Sequence, residues 1–544
     1  MQPSRLSCLY GLTTHSVRLW AMVTAAVLGG LCVRLAWGGL PVQTSYPFAT
    51  TILLDAGSRI NDGQVPYQDF HTPIGFTYLW LVSLCLRLAD GLPHALALLS
   101  AGLGLVIGAW CWWLAIARCP PALAAVVALL GGLLAASPAL FGYGPLEVSY
   151  GGHYSRLAWA VFFSVIVQAT LPARDAFGVI GSSSASRTWG EGVGLGLCLG
   201  LLLGTKFTVL FASLAVLAIA WWYRRPDRRL VLALVVAALI ATLAGLYASG
   251  ASVSAYLRDC RGLGGAVSLG ALLLNYQRKL DLLGLALVAA MAIWTWPVLR
   301  ASWRWSWRQP LPEVASLAAV VLALGLIISA TTGIEDASPA CLLAILILAC
   351  GGPTRLPGTM LVAGAMLGAF AARLAVPILK GPYAAASSQL ALTAGPWRGL
   401  DCMPAVPGTT KREDLIRQVW IQPRNLVDNL WYFYLADADR LLRPRVGPAE
   451  RVLSMDYMNP FPYLLDRPAP RGDLLYWSFD RNVTPQNAPA ARDLFADADW
   501  VMVPKLEAFN NSSAPKQRLY LAWITDHYQL EAASIWWDCY RRVR

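Results

Sequence analysis

Apolar stretches of bilayer length recur along this chain, near residues 17–39, 73–89, 93–117, 122–141, 157–173, 189–204, 205–222, 229–248, 280–299, 313–330, 338–352 and 357–378. A helix needs roughly 20 apolar residues to cross about 30 Å of hydrocarbon, and most of these runs approach that length, though several are short. Of the 544 residues, 57% are hydrophobic and 14% charged, against about 25% charged in a soluble domain. Lipid must therefore be the main solvent, and the pattern predicts a polytopic α-helical membrane protein with about 11–13 transmembrane helices. The run at 17–39 reads as an uncleaved first anchor rather than a removed leader.

The formal net charge of +12 does not point to nucleic acid. The basic residues are scattered in short loops between apolar runs, as in "RRPDRR" at 224–229 and at Arg300, Arg304 and Arg308, where the positive-inside rule places cytoplasmic loops. Orientation counts disagree, however. Counting forward from a cytoplasmic N-terminus puts residues 40–72 outside, whereas counting back from "RRPDRR" puts them inside. One apolar run should therefore be a surface or half-membrane helix, and Gly/Pro-broken runs such as "GGLLAASPALFGYGP" are candidates. Residues 40–72, 142–156, 249–279 and the tail are assigned to the outer face.

Hydropathy collapses after about residue 380. "RVLSMDY" and "DWVMVPK" read as short buried strands, "YQLEAASIWWDCYRR" as a closing strand or hairpin, and "RNLVDNLWYFYLADADRLL" as helical. The expected layout is residues 1–39 as N-terminal segment and first helix, 40–72 as an outer loop with an amphipathic surface helix, 73–379 as a multi-helix membrane domain, and 380–544 as a small extracytoplasmic α/β domain. Eleven cysteines show no CxxC pair and no metal-like spacing. Cys402 and Cys539 share the polar tail and would form a disulfide there only in an oxidising compartment. Asn482-Val483-Thr484 and Asn510-Asn511-Ser512 match the glycosylation sequon.

Chemistry-bearing residues gather at the ends of these runs. In "SYPFATTILLDAGSRINDGQVPYQDFHTPIGF", Ile52, Leu53, Ala56 and Ile60 share one helical face and Gly63 stops the helix. The helix would lie on the membrane surface and deliver Asp69 and His71 to a cavity mouth. Alternatively, Asp69 caps the next helix and His71 bonds within a turn. "YGPLEVSYGGHYSRLAW" groups Glu147, Tyr150, His153, Tyr154 and Arg156, suited either to sugar binding or to an interfacial aromatic belt. Lys206 in "LLLGTKFTVLF" is flanked by apolar runs, which is costly unless it snorkels from a helix end, and there it would meet a lipid phosphate. Arg258, Asp259 and Arg261 in "LRDCRG", with Glu335 and Asp336, are further polar groups near outer ends. The two arginines would suit a phosphate, or simply a solvated loop.

"DFHTPIG" resembles the D-x-H-P-P-x-G stretch in the first outer loop of protein O-mannosyltransferases. The longer "DAGSRINDGQVPYQDFHTPIGF" is similar to the corresponding loop of the RgtA/B/C/D-like bacterial glycosyltransferases. Both groups belong to the GT-C superfamily of polytopic enzymes, which use polyprenyl-phosphate sugars at the outer face. Tyr67, Asp69, His71, Pro73 and Gly75 match the loop motif. Lys206 resembles the family lysine that faces the donor phosphate, and Glu147 falls near a second acidic position.

The resemblance implies an inverting transfer from a polyprenyl-phosphate sugar to a glycan, lipid or protein acceptor. It implies the bacterial cytoplasmic membrane as location, with site and tail extracytoplasmic. A carboxylate would accept the acceptor proton, and a cation or bound metal would hold the leaving phosphate. The usual early acid is missing, since "QTSYPFATT" contains none. Either Asp55 or Asp69 takes that role with Glu147 assisting, or the chain binds without catalysing. Tyr67, His71, Tyr150, His153, Lys206, Arg258 and Arg261 are the expected substrate-binding residues; no cofactor beyond the lipid-linked donor and no metal ligand set is recognisable. A flippase for lipid-linked glycans, the other alternative, needs several charges buried mid-span in paired half-helices, and few are present.

Overall fold

The computed structural model describes residues 14–38, 47–139 except 93, 148–171, 185–264, 313–331, 357–380 and 434–543 except 436, 480–481 and 506–512. The membrane part comprises α1 (Thr14–Gly38), α2 (Pro47–Asn61), α3 (Phe76–Leu88), α4 (Ala95–Ile116), α5 (Pro121–Ala136), α6 (His153–Thr170), α7 (Ala185–Leu203), α8 (Phe207–Arg224), α9 (Arg228–Ser249), α10 (Val253–Gly264), α11 (Glu313–Thr331) and α12 (Pro357–Lys380). Among the described residues, α1, α4, α8 and α9 are long and apolar enough to cross a bilayer unaided. Leu232, Val236, Leu239 and Leu243 of α9 are about half exposed, a surface that only lipid would cover. The predicted spans at 280–299 and 338–352 lie outside the described residues.

Side chains at the helix ends fix their directions. His153 Nε2 lies 2.9 Å from the Ala135 carbonyl and 3.0 Å from Ser100 Oγ, so the start of α4, the end of α5 and the start of α6 share one end of the bundle. At the other end Arg118 donates to the Leu171 carbonyl and pairs with Glu191, and Arg224 donates to the Ala169 and Thr170 carbonyls. These guanidiniums occupy carbonyls that a helix C-terminus leaves without intrahelical donors. The turn from Arg224 to Arg229 lies at this basic end.

The run at 73–89 is not a span. At 13 residues, α3 reaches only about 20 Å, and both its ends lie at the same end of the bundle. Its start packs on Gly204, while the Gly91 carbonyl just beyond it accepts a hydrogen bond from Tyr463 of the C-terminal domain. It packs alongside α2 with their C-terminal ends together, Gly57 lying against Val82 and Leu86 and the Asn61 side-chain oxygen accepting from Ser83 and Arg87. Removing α3 from the crossings brings the two orientation counts into agreement. Length was the overlooked signal.

The C-terminal region contains β2 (Val452–Ser454), α13 (Phe461–Leu465), α14 (Ala491–Leu494), β4 (Trp500–Pro504), α15 (Ser513–His527), β5 (Tyr528–Ala533) and β6 (Trp537–Arg542). Its sheet runs β2-β4-β6-β5, parallel between β2 and β4 and antiparallel elsewhere. The strands expected from "RVLSMDY", "DWVMVPK" and the closing hairpin are all present, and residues 437–442 are helical as read. A second, two-stranded sheet pairs β1 (Phe70–His71) of the first loop with β3 (Asp473–Leu474) of this region. Cys539 is a buried thiol of β6; Cys402 lies outside the described residues. Asn482 is buried and bonded to Ser478 and Tyr476, while Asn510 lies outside them.

Helices α7 and α9 run parallel and unusually close. Gly192, Gly196 and Gly200 form a stripe at four-residue spacing whose absent side chains admit the backbone and small side chains of Leu230, Leu234, Ala237 and Ala241. Such stripes let helices approach where lipid removes the hydrophobic drive to associate. Gly196→Leu would collide with the Leu234 carbonyl, and overpacking of this kind costs about 1–3 kcal/mol. A lowered thermal midpoint in detergent is the expected outcome, whereas the same substitution at Gly102, which has open space around it, should leave the midpoint unchanged.

Candidate active site at the domain end of the bundle

The first loop is folded by its own hydrogen bonds before it meets anything else. Ile52, Leu53, Ala56 and Ile60 are buried, but so are Thr50, Leu54, Asp55 and Arg59, so α2 is enclosed by protein and does not lie on the membrane surface as the amphipathic helix expected. It stops at Asn61, followed by Gly63 at φ 83°. Tyr67 adopts φ 66°, which costs energy for a bulky residue. Its phenol donates to the Ile74 carbonyl at 2.7 Å, and its amide to the Phe70 carbonyl at 2.8 Å, so the strained turn is fixed on both sides. Asp69 closes the same turn: Oδ2 accepts the Val65 amide at 2.8 Å, and Oδ1 lies 3.5 Å from Arg471 Nε.

That loop then docks in two directions. Towards the C-terminal domain, β1 pairs with β3, the Gly472 amide donates to the Asp69 carbonyl, and Gln64 donates to the Ala469 carbonyl. Buried charges sit at this seam. Arg59 Nε lies 2.7 Å from Asp55 Oδ2, its Nη1 donates to the Pro470 carbonyl, and its Nη2 is 3.9 Å from Asp473. Behind Asp473 stands Lys516, 4.1 Å from the Trp477 ring centroid and donating to the Ser454 carbonyl at 2.8 Å. Burial is the largest influence on Asp55 and pushes its carboxyl up to about 6 despite Arg59. Burial likewise lowers the Lys516 ammonium to about 8.

Towards the membrane helices, the contact is backbone on backbone. The Gly75 amide donates to the Thr205 carbonyl at 3.2 Å and the Tyr78 amide to the Gly204 carbonyl at 3.1 Å. A Cβ on Gly75 would overlap the Gly204 carbonyl, and one on Gly204 would overlap Thr77. The "TPIG" end of the loop thereby lies against the turn that carries Lys206. Lys206 Nζ donates to Ser155 Oγ at 2.8 Å and stands 5.9 Å from the Tyr154 ring centroid, with 8% of the residue exposed.

Helix α10 closes the far side. Its Tyr256 packs on Tyr67, Phe76 and Phe207 with ring centroids 5.1, 5.5 and 6.4 Å away, which ties the loop to the residue following Lys206. One turn further along, Asp259 meets His71, with Nδ1 3.1 and 3.2 Å from the two carboxylate oxygens, and accepts the Thr72 amide at 3.1 Å.

The sequence candidates therefore separate. Tyr67, Asp69, His71 and Lys206 belong to one continuous junction, and Arg258 and Arg261 lie on its exposed α10 face. Asp55 is enclosed in the seam with the C-terminal domain. Tyr150 and His153 are fully buried beneath the junction, and His153 Nδ1 meets the Tyr78 hydroxyl at 2.8 Å. Glu147, Glu335 and Asp336 lie outside the described residues. Sequence reasoning missed Asp259 as a partner of His71, because 188 residues separate them. It also missed Asp473 and Lys516, which no local pattern marks. Among the described residues, no three His, Cys, Asp or Glu side chains cluster so as to hold a metal ion.

No family model and no curated protein matches this chain. Two solved structures are similar to it: crystal structures of ArnT from Cupriavidus metallidurans, one bound to undecaprenyl phosphate and one in the apo state. Identity is 15% and 14%, with a TM-score of 0.46 for each, over 96% of this chain and 98% of the other.

Asp55 supplies a pH test of the seam. Its carboxyl rises from 3.8 to about 6 on folding, so the folded protein binds the proton more tightly than the unfolded one. That contribution is fully present below pH 3.8 and is lost as pH rises through about 6. Thermal midpoints measured between pH 4 and 7 should fall more for the wild type than for Asp55→Asn, which keeps an uncharged side chain throughout.

Proposed function

We propose that this chain is a glycosyltransferase that moves a sugar from a polyprenyl-phosphate donor to a cell-envelope acceptor, with its site at the bundle end that carries the α/β domain. The observation that carries this reading is the pair of hydrogen bonds from Gly75 and Tyr78 to Thr205 and Gly204. They hold the loop whose motif resembles that of GT-C enzymes against the turn bearing a lysine. Lys206 suits a lipid phosphate because an ammonium is a compact charge at the lip of an apolar bundle, where little water screens it. Arg258 and Arg261, exposed on α10, would hold the phosphate from the water side.

In this reading the domain end is extracytoplasmic. The short connection at the opposite end carries Arg224, Arg225, Arg228 and Arg229, which favours the cytoplasm for that end of a bacterial inner-membrane protein. The acceptor hydroxyl attacks the anomeric carbon from the aqueous side as the polyprenyl phosphate leaves towards Lys206, inverting the centre. The resemblance would draw the base from Asp69, Asp55 or Glu147, while Tyr67, Tyr150 and His153, all buried, support the junction from beneath and do not touch substrate.

One observation favours a second reading, a non-catalytic chain that only binds lipid-linked glycan. Asp55 is 1% exposed and paired with Arg59, and Asp69 is engaged by Val65 and Arg471. Neither is an idle carboxylate.

Purified protein in nanodiscs made from cell-envelope lipid, supplied with undecaprenyl-phosphate mannose, glucose or ribose and with a cell-envelope glycan and protein extract as acceptor, separates the two. Release of undecaprenyl phosphate is expected with at least one donor, and Lys206→Ala should slow it about 10²–10³-fold, as does removal of one charge-stabilising donor elsewhere, while insertion and thermal midpoint persist. Donor binding without any turnover would favour the binding reading. Turnover unchanged in Lys206→Ala would remove the lysine from the site.

A further inference from the structure

We propose that His71, oriented by Asp259, is the general base of this site, an inference that rests on the glycosyltransferase reading. Three features of the pair support it. First, Asp259 is positioned before it meets the histidine: it is 6% exposed, and Oδ2 accepts the Thr72 amide at 3.1 Å. Second, both of its oxygens lie within 3.2 Å of His71 Nδ1, which assigns the ring proton to Nδ1 and leaves a lone pair on Nε2. Third, the His71 side chain is 34% exposed, and its Nε2 has no hydrogen-bond partner among the described residues.

The location fits the chemistry. His71 is fixed through its backbone by β1–β3 pairing and by the Leu475 amide donating to its carbonyl, so the ring is carried on a rigid strand. Asp259 lies one turn of α10 from Tyr256, which packs on Phe207 beside Lys206, an axial rise of about 5 Å. Arg258 and Arg261, on the exposed face of the same helix, would hold the donor phosphate on the water side, where His71 is also exposed. The carboxylates do less well: Asp55 is sealed against water, and Asp69 holds the turn on which His71 depends.

In the step, the acceptor oxygen forms its bond to the anomeric carbon as the bond from that carbon to the phosphate oxygen breaks. The bonding pair leaves with the polyprenyl phosphate, and the acceptor proton passes to His71 Nε2. Asp259 keeps the Nδ1 proton and stabilises the imidazolium, which then returns its extra proton to water. Asp259 is a positioning residue and His71 the group that touches substrate.

The test uses the same nanodisc preparation and the same three undecaprenyl-phosphate sugars, choosing whichever the wild type consumes. His71→Ala should lower kcat about 10²–10⁴-fold, leave KM for the donor within about threefold, and regain at least about tenfold when imidazole is added. Asp259→Asn should lower kcat about 10-fold or more without imidazole rescue, and Asp259→Glu should recover part of it. His71→Gln serves where the alanine variant does not insert, with the same loss expected. Wild-type kcat in His71→Ala or His71→Gln, or a loss that imidazole does not relieve in folded His71→Ala, would overturn the dyad while Lys206→Ala still impairs turnover. Absence of turnover in the wild type with every donor would overturn the glycosyltransferase reading and this inference with it.

Discussion

The close approach of Gly75 to Gly204 is the constraint on which the rest of the junction depends. Two chain segments meet there with no side chain between them, and their amides and carbonyls bond directly. Such contact satisfies backbone groups at the margin of an apolar medium, where an unpaired amide or carbonyl is expensive. It also sets position to within the tolerance of a hydrogen bond. The stripe Gly192, Gly196 and Gly200 draws α7 against α9, and Gly204 and Gly245, one on the turn after α7 and one on α9, then accommodate Phe76 and Thr77. Small residues along two membrane helices thus determine where a polar loop over 100 residues earlier can sit.

Charge is distributed between two kinds of place in this junction. Asp55, Arg59, Asp473 and Lys516 are all buried and alternate in sign along the seam between first loop and C-terminal domain. Buried ions are stabilised only when partners compensate their lost hydration, and removing one partner is costlier than the pair was worth. The arrangement therefore serves mainly to specify how the two parts fit together. His71, Arg258 and Arg261 are open to water, whereas Lys206 is buried at 8% exposure and bonded to Ser155. Asp259 links the two kinds, being buried itself while orienting a ring that is not.

Much of this was legible in the sequence wherever the relevant physics is local. The face Ile52, Leu53, Ala56 and Ile60, the stop near Gly63, the strands at 452–454 and 500–504 and the closing hairpin all follow from periodicity and turn chemistry. The disagreement between orientation counts pointed to a non-crossing apolar run, but the candidate named for it, "GGLLAASPALFGYGP", was the wrong one: α5, which carries its first half, joins the Arg118 end of the bundle to the His153 end, and α3 is the run that does not cross. Its residues are as apolar as those of a span because it is buried between α2 and the bundle, and protein covers it as lipid would. Partnerships such as Arg59 with Asp473 or His71 with Asp259 were illegible, since they join segments far apart in the chain, the second pair 188 residues apart, and hydropathy does not encode how such segments meet. Tyr150 and His153 showed the converse: residue types that suit a sugar site are also those that satisfy hydrogen bonds inside a bundle, as Tyr78 and Ser100 do for His153.

In the proposed function the first loop and the Lys206 turn form one site for a lipid phosphate at the domain end. A cryo-electron microscopy structure of the protein in nanodiscs with undecaprenyl phosphate addresses it directly. Phosphate density is expected within about 3 Å of Lys206 Nζ, with Gly75 still bonded to Thr205. Density lodged instead among Arg224, Arg225 and Arg228 at the opposite end, with Lys206 remaining on Ser155, would contradict it.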